Sequence, residues 1–260
     1  MKLKDVMMKL EELSPLAMAE EWDNSGLMCG RKDKDVSSVL LAVDATDEVI
    51  EEAVLSGADL LLTHHPLIFG GIKSVTEDSI TGRRLLKLIQ ADVACYAMHT
   101  NFDVIGMADE AADRLGLIDP EVLEVTFEDS LSKEGIGRCG KLKNSMSLKE
   151  CAEMVKEVFL VENVRVYGNL RDRISCVAVS PGSGRKMSRY ALKCRADVLI
   201  TGDIDHHEGI DALAEGLNII DAGHFGLEKM FVGYMKDYFM KEMPEMEVSA
   251  ASQKEPFITI

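Results

Sequence analysis

The chain has 260 residues, 47% of them apolar and 28% charged, enough for one large domain or two small ones with packed cores and too apolar for long disorder. The formal net charge is −16, so the surface repels phosphate backbones and non-specific nucleic-acid binding is disfavoured. A small anionic substrate is not excluded, because bound metal ions can reverse the local field.

The chain begins MKLKDVMMKLEEL, charged throughout, with Leu3, Val6, Met7 and Leu10 on one helical face. It lacks the apolar core of a signal peptide, and no run approaches the roughly 18 apolar residues of a membrane span. The cytoplasm is the expected location. Cys29, Cys95, Cys139, Cys151, Cys176 and Cys194 are scattered with no C-x-x-C pair. They are expected to be buried, reduced thiols rather than a disulfide framework or a thiolate zinc site.

Strand-like runs then alternate with helix-period segments. Val39–Val43 reads as a strand, Asp47–Leu55 as a helix closed by Gly57, and Leu60–Thr63 as a short strand buried on both faces because it does not alternate. Thr81–Ile89 is predicted helical, Val93–Met98 a strand and Ala108–Leu115 a helix ending at Gly116. The stretch Thr126–Ser147, rich in Gly, Lys and Ser, reads as a connection carrying one strand at most. The alternation resumes with strand Cys176–Val179, helix Lys186–Lys193, strand Val198–Thr201, helix Glu208–Glu215, strand Leu217–Asp221 and a longer helix Phe225–Met240. This is α/β grammar, mostly parallel strands with helices on the faces.

Two stretches run in step. VLLAVDATDEVIEEAVLSGADLLLTHHP (39–66) and CVAVSPGSGRKMSRYALKCRADVLITGD (176–203) share a strand with Ala-Val, a helix, Ala-Asp, three aliphatics and Thr. Each is followed by a strand running into a histidine with an acid four residues on: His99 and Asp103, His224 and Glu228. Chance likeness of two βαβ units is the alternative, but the matched order favours internal duplication. The expected division is 1–125 and 126–260, with the C-terminal helix and tail free to pack back onto the first half. Two such halves facing each other through strand ends would form one cleft, where α/β sheets place their sites.

The six histidines cluster near predicted strand ends or helix starts, each near a carboxylate. His64 and His65 follow a strand, and neighbouring residues in extended chain point apart, so the pair suits two ions better than one. A hydrogen-bonded turn is the plainer reading. His224 and Glu228 share a helix face at i, i+4, as metal ligands or as a simple ion pair. Asp103 is the second acid, and alone would read as a turn or N-cap residue. Imidazoles and carboxylates without thiolates suit Zn, Mn, Fe, Co or Ni. Two such ions would acidify water and, with only two carboxylates against four positive charges, attract an anionic substrate.

His99, Asp203 and His207 are candidate catalytic residues beside the metals. His99 could orient Asp103 or give a proton, while Asp203 and His207 could hold substrate or water; core hydrogen bonding is the alternative for each. His206 joins them only as a neighbour. Trp22, Asp23 and Asn24 start a Gly26-containing turn, with Trp22 expected to be a packing residue rather than a stacking platform. Pro181-Gly182-Ser183-Gly184 could bind an anion at a helix N-terminus, although a plain βα loop is the simpler reading. Neither a phosphate loop of the G-x-x-x-x-G-K-[ST] type nor a dinucleotide fingerprint is present.

EEWDNSGLMCG (20–30), LLLTHHPLIFGGIKSV (60–75), AMHTNFDV (97–104) and GDIDHHEGIDALAEGLNIIDAGHFGLEK (202–229) resemble the motifs of the NGG-interacting-factor-three-like family, whose members are commonly labelled GTP cyclohydrolase 1 type 2 homologues. The resemblance covers nearly the whole chain except about 126–175, and it is to the short form without a mid-chain inserted domain. It implies duplicated three-layer α/β/α halves facing a shared dinuclear metal cleft, and a ring-shaped homohexamer. It places the ligands of two divalent ions on His64, His65, Asp103, His224 and Glu228, leaving His99, His206 and His207 outside the coordinating set. It likens the tail 249–257 to a closing strand. The expected function is metal-dependent hydrolysis of a nucleotide or related phosphorylated small molecule, with GTP ring opening as one version. The alternative is a metal-binding regulatory or scaffold protein without turnover.

Overall fold

A computed structural model describes residues 1–259. In chain order its elements begin with α1 (Leu3–Leu13), β1 (Gly26–Cys29), β2 (Ser38–Ala42), α2 (Asp47–Ser56), β3 (Leu60–Thr63), α3 (Ile80–Gln90), β4 (Ala94–Ala97) and the single turn α4 (Thr100–Phe102). A π-turn at Asp103–Met107 leads to α5 (Ala108–Arg114), β5 (Ile118–Glu128), β6 (Lys133–Ser147), α6 (Leu148–Phe159), β7 (Arg165–Tyr167) and β8 (Arg173–Ser183). Then follow α7 (Ser188–Lys193), β9 (Val198–Gly202), α8 (His206–Ala214), β10 (Asn218–Asp221), α9 (His224–Glu228), α10 (Met230–Glu242) and β11 (Glu247–Ala250).

The chain forms two compact units, and the fold is mixed α/β with one sheet in each. The first unit holds Met1–Phe102 and Phe231–Lys254; the second holds Asp103–Met230 and the residues from Glu255. The division thus follows Phe102 rather than falling near residue 125. β5 pairs with β6 over most of its length, and α5 and the π-turn pack on β6, so 103–125 goes with the second sheet.

The first unit's sheet has the order β1-β4-β3-β2-β11. Its centre is parallel and in level register: Ala42 pairs with Thr63, and Thr63 with Ala97. All four residues of β3 are buried, as its unbroken apolar run requires. Leu40, Leu61 and Cys95 face a layer built from Val49, Ile50 and Ala53 of α2 and Leu85 and Leu88 of α3. Local signals set these helices: the Thr46 hydroxyl accepts from the Val49 amide, Ser79 does the same for Gly82, and Gly57 ends α2 in the left-handed region at φ 68°. The C-terminal chain returns to this unit, where β11 runs parallel to β2 and the Tyr238 hydroxyl donates to the Lys9 carbonyl at 2.6 Å. The closing strand is Glu247–Ala250, slightly before the expected stretch.

The second unit's sheet has the order β5-β6-β8-β9-β10-β7, with β8, β9 and β10 parallel and the rest antiparallel. Ala178, Leu199 and Ile219 pack against Ala191 of α7 and Ala212 of α8. The supposed connection 126–147 is instead half of a long β-hairpin. Its strands are legible neither by apolar run nor by clean alternation, because most of β5 is exposed and Gly135 lies so close to Glu124 that a Cβ would meet its carbonyl oxygen at 1.9 Å. The expected helix Phe225–Met240 is two helices meeting at Lys229, whose ammonium donates to the Leu160 carbonyl. The cysteine expectation also needs correction. Cys139 and Cys194 form a disulfide, with Cys176 Sγ 3.8 Å from Cys139 Sγ, while Cys95 and Cys151 are buried thiols whose pKa burial raises. No helix among the described residues is long and apolar enough to cross a membrane.

Arg138 of β6 is buried, and its guanidinium donates to both oxygens of Asp109 (2.6 and 3.0 Å) and to the carbonyls of Gly135 and Gly137. Arg138→Ala strands those carbonyls in the interior and should cost about 2 kcal/mol in equilibrium denaturation. Unchanged stability would mean that the hairpin is not held by this contact.

Candidate metal centre

Because β2, β3 and β4 end level, the residues that follow leave the first sheet together: Val43-Asp44, His64-His65 and Met98-His99. His64 Nδ1 lies 2.7 Å from the Met98 carbonyl oxygen. A carbonyl only accepts, so Nδ1 carries the hydrogen and the neutral ring has its lone pair on Nε2. His65 Nδ1 donates to Asp44 at 2.8 Å, and His99 Nδ1 to Asp23 at 2.7 Å. The three rings cluster, with centroids 4.8 Å apart for His64 and His65 and 5.3 Å from each of these to His99. One nitrogen from each lies within 4.8 Å of the other two, close enough to share a cation. Imidazoles whose far nitrogen is held by a carboxylate or carbonyl are the usual form of metal-ligating histidine, since the held Nδ1–H sets the tautomer and aims the ring.

Asp23 is the buried centre behind His99. It also accepts from the Thr100 hydroxyl and amide at 2.6 and 3.1 Å and from the Ser25 hydroxyl at 2.7 Å. Burial alone would raise its pKa, but these hydrogen bonds and the attraction of His99 outweigh it and hold the carboxyl well below the ordinary range. The tail supports the other acid: the Gln253 side chain accepts from the Val43 amide and donates to the Asp44 carbonyl.

In the second unit β9 and β10 also end level, Thr201 pairing with Asp221. Asp203 follows β9 in the left-handed region at φ 55°, a strained backbone for a residue other than glycine. Its carboxylate accepts from His224 Nδ1 at 2.8 Å. Buried Asp221 fixes both loops by accepting from the amides of Ile204 and Gly223 and from Arg165. At the other nitrogen, His224 Nε2 lies 3.1 Å from Glu228 Oε2, and Glu228 is only 3% exposed. A ring that already donates through Nδ1 can face a buried carboxylate with Nε2 only when a cation, proton or metal, accompanies that nitrogen. Gly182 closes in from β8 with φ 77°: a Cβ there would lie 2.4 Å from Glu228 Oε1.

The expected residues therefore sort as follows. His64, His65 and His99 are gathered in the first unit, and His224, Glu228 and Asp203 in the second. Asp203 buttresses the His224 ring. Asp103 opens the π-turn. His206 and His207 occupy the first turn of α8, where Asp205 caps the amides of His207 and Glu208; neither belongs to a gathered donor group among the described residues. Pro181–Gly184 forms the end of β8 and its exit, with Gly182 packed against a carboxylate rather than open to an anion. Trp22 is 64% exposed, against the expected packing role. Sequence reasoning missed Asp44, Asp23 as a buried acid, and Gln253. The only signals were an Asp just past a strand in AVDAT and an Asp inside EEWDNSG.

The sequence model of the DUF34/NIF3 (NGG1p interacting factor 3) family matches residues 1–256. The chain belongs to that family. A family relative from Clostridium perfringens, named GTP cyclohydrolase 1 type 2 homolog, is 39% identical over 230 residues, 88% of this chain and 87% of its own length. One of the same name from Halalkalibacterium halodurans is 30% identical across 98% of each chain, in an alignment of 365 residues; it carries residues this shorter member lacks. The crystal structure of a Bacillus cereus protein related to NIF3 superposes with a TM-score of 0.91 at 26% identity, covering 100% of this chain and 99% of that one.

Gly182→Ala should leave the sheet folded and displace Glu228. The check is metal bound per purified chain, expected to fall at least several-fold, beside an unfolding curve with a single cooperative transition. Asp23→Asn tests the depressed carboxyl. A carboxyl held low in the folded state stabilises above its unfolded value near 3.9, and that contribution is lost as pH falls toward the folded value. The variant should therefore be less stable than the parent at pH 7, with the gap narrowing below about pH 4 in denaturation curves.

Proposed function

We propose that this protein is a dinuclear metal-dependent hydrolase acting on a nucleotide or related phosphorylated small molecule. The observation that carries the reading is the cluster of three imidazoles whose Nδ1 atoms all donate to a carbonyl or carboxylate. The chemistry of the donors fits divalent ions: imidazoles with Nδ1 held by a carbonyl or carboxylate in one unit, and in the other an imidazole set against a buried carboxylate in a contact that calls for a cation. His64, His65, Asp103, His224 and Glu228 would hold two ions, drawn from Zn, Mn, Fe, Co or Ni. When bound, they would supply Lewis acidity and lower the pKa of water toward neutrality.

The remaining roles fall to the chain itself. His99, braced by Asp23, would exchange a proton through Nε2, with Asp23 keeping Nδ1 protonated and the ring in place. Asp44 and Asp203 would orient His65 and His224. The relatives' name points to a nucleotide, and the family resemblance to a homohexamer, which belong to the same proposal. The parallel trios β2-β3-β4 and β8-β9-β10, each ending in a braced histidine, support the reading of two duplicated halves around one centre.

The test is metal analysis of the purified protein, followed by a screen of nucleotides and phosphoesters with the metal found. At least one compound should turn over. His65→Ala should abolish turnover, chelation should abolish it in the wild type, and metal should restore it there. Asp44→Ala should weaken metal binding about 10–100-fold. Tight metal binding with no turnover across the screen would instead favour a regulatory or scaffold role.

A further inference from the structure

We propose that Trp22 and Phe69 form a stacking platform for a planar heteroaromatic ring of the substrate beside His99. This deepens the hydrolase reading by naming the part of the substrate that is recognised, and it rests on that reading for the reaction but not for the binding.

Trp22, the chain's single tryptophan, is 64% exposed, and Phe69 is 57% exposed. Isolated exposed apolar side chains are ordinary. These two converge on one feature. The Trp22 ring stands nearly perpendicular to the His99 ring at 5.8 Å between centroids, and the Phe69 ring does the same at 5.7 Å. Phe69 also lies 6.4 Å from the His65 ring. Both aromatics thus border the imidazole cluster while keeping most of their surface in water.

The platform is built on anchored backbone. On one side of Trp22, the Glu20 amide donates to the Thr100 hydroxyl at 2.9 Å; on the other, Asp23 is buried and bonded to His99. The Asn24 amide group donates to the Ile68 carbonyl at 2.6 Å, which ties the loop carrying Trp22 to the loop carrying Phe69. The backbone on which Trp22 sits is thus fixed on both sides, by Glu20 and by the bonds of Asp23 to His99, Thr100 and Ser25. An aromatic side chain on anchored backbone has only its own two torsions to lose when a ring stacks on it.

The chemistry selects the occupant. Aromatic faces accept any planar π-system, and a nucleobase stacked on an aromatic side chain gains substantially in affinity. A cationic group is a poorer match, because the nearby acids Asp23 and Asp44 are already committed to His99 and His65. A neutral ring with polar edge atoms meets both the aromatic faces and the adjacent imidazoles.

The test uses Trp22 emission from full-length, metal-free protein, so its outcome does not depend on turnover. Guanosine should quench it saturably, and ribose 5-phosphate, which lacks the ring, should not. Phe69→Leu should raise the apparent Kd for guanosine about tenfold or more, and Phe69→Tyr should stay near wild type, both with unchanged melting temperatures. Quenching by ribose 5-phosphate equal to that by guanosine, no quenching by either, or a Phe69→Leu affinity equal to wild type would each overturn the proposal. So would an emission change on dilution alone, which would show a second copy of the chain covering the rings. If guanosine binds as expected while the activity screen is blank, this proposal stands and the hydrolase reading fails.

Discussion

The hydrogen bond from His64 to the Met98 carbonyl ties the exit of β3 to the exit of β4, and much of the candidate centre follows from it. The bond requires level strand ends, which the parallel register supplies. It also settles a proton: once Nδ1 donates to a carbonyl, the lone pair lies on Nε2. His65 uses the same device toward Asp44 at the exit of β2, and His224 toward Asp203 at the exit of β9. In each case a residue past one strand braces a ring past its parallel neighbour. Strand exits in an open parallel sheet have loop backbone free of ladder duties, so polar side chains can gather there without breaking the sheet.

The electrostatics run against the bulk charge. A chain of net charge −16 concentrates imidazoles at one place and commits the nearest acids to them. Asp23 is held ionised in the interior by five donors, which together use nearly every acceptor site of its carboxylate. Glycines do comparable work by absence. Gly182 admits Glu228 beside His224, and Gly202 admits the His224 backbone, with a Cβ at the latter position only 2.5 Å from the His224 nitrogen. Any side chain at these places would move the loops that set the donors.

Parts of this architecture were legible from residues alone. β3 coincides with its apolar run Leu60–Thr63, and α2 starts at Asp47 and is closed by Gly57 as read, because burial and helix termination are local pattern effects. The hairpin β5–β6 was not legible. Its outer strand is mostly exposed, and its pairing depends on a partner that a local window does not contain. The break at Lys229 was hidden for a similar reason: apolar spacing continues through it, while the contact with Leu160 that occupies Lys229 lies 69 residues away. Trp22 misled by type, since a lone tryptophan reads as core until the buried acid beside it is seen to hold its backbone at the surface.

By itself the sequence determined the alternating α/β order, the buried central strands and the histidine and acid positions worth testing, because hydrophobic period and donor chemistry are written residue by residue. Only the tertiary structure decided which acids brace which rings. Asp44 meets His65 across 21 residues and Asp23 meets His99 across 76, pairings created by strand register and loop closure. Tautomer and ionisation follow from those pairings, so the chemistry of each ring is a property of the fold rather than of its place in the chain.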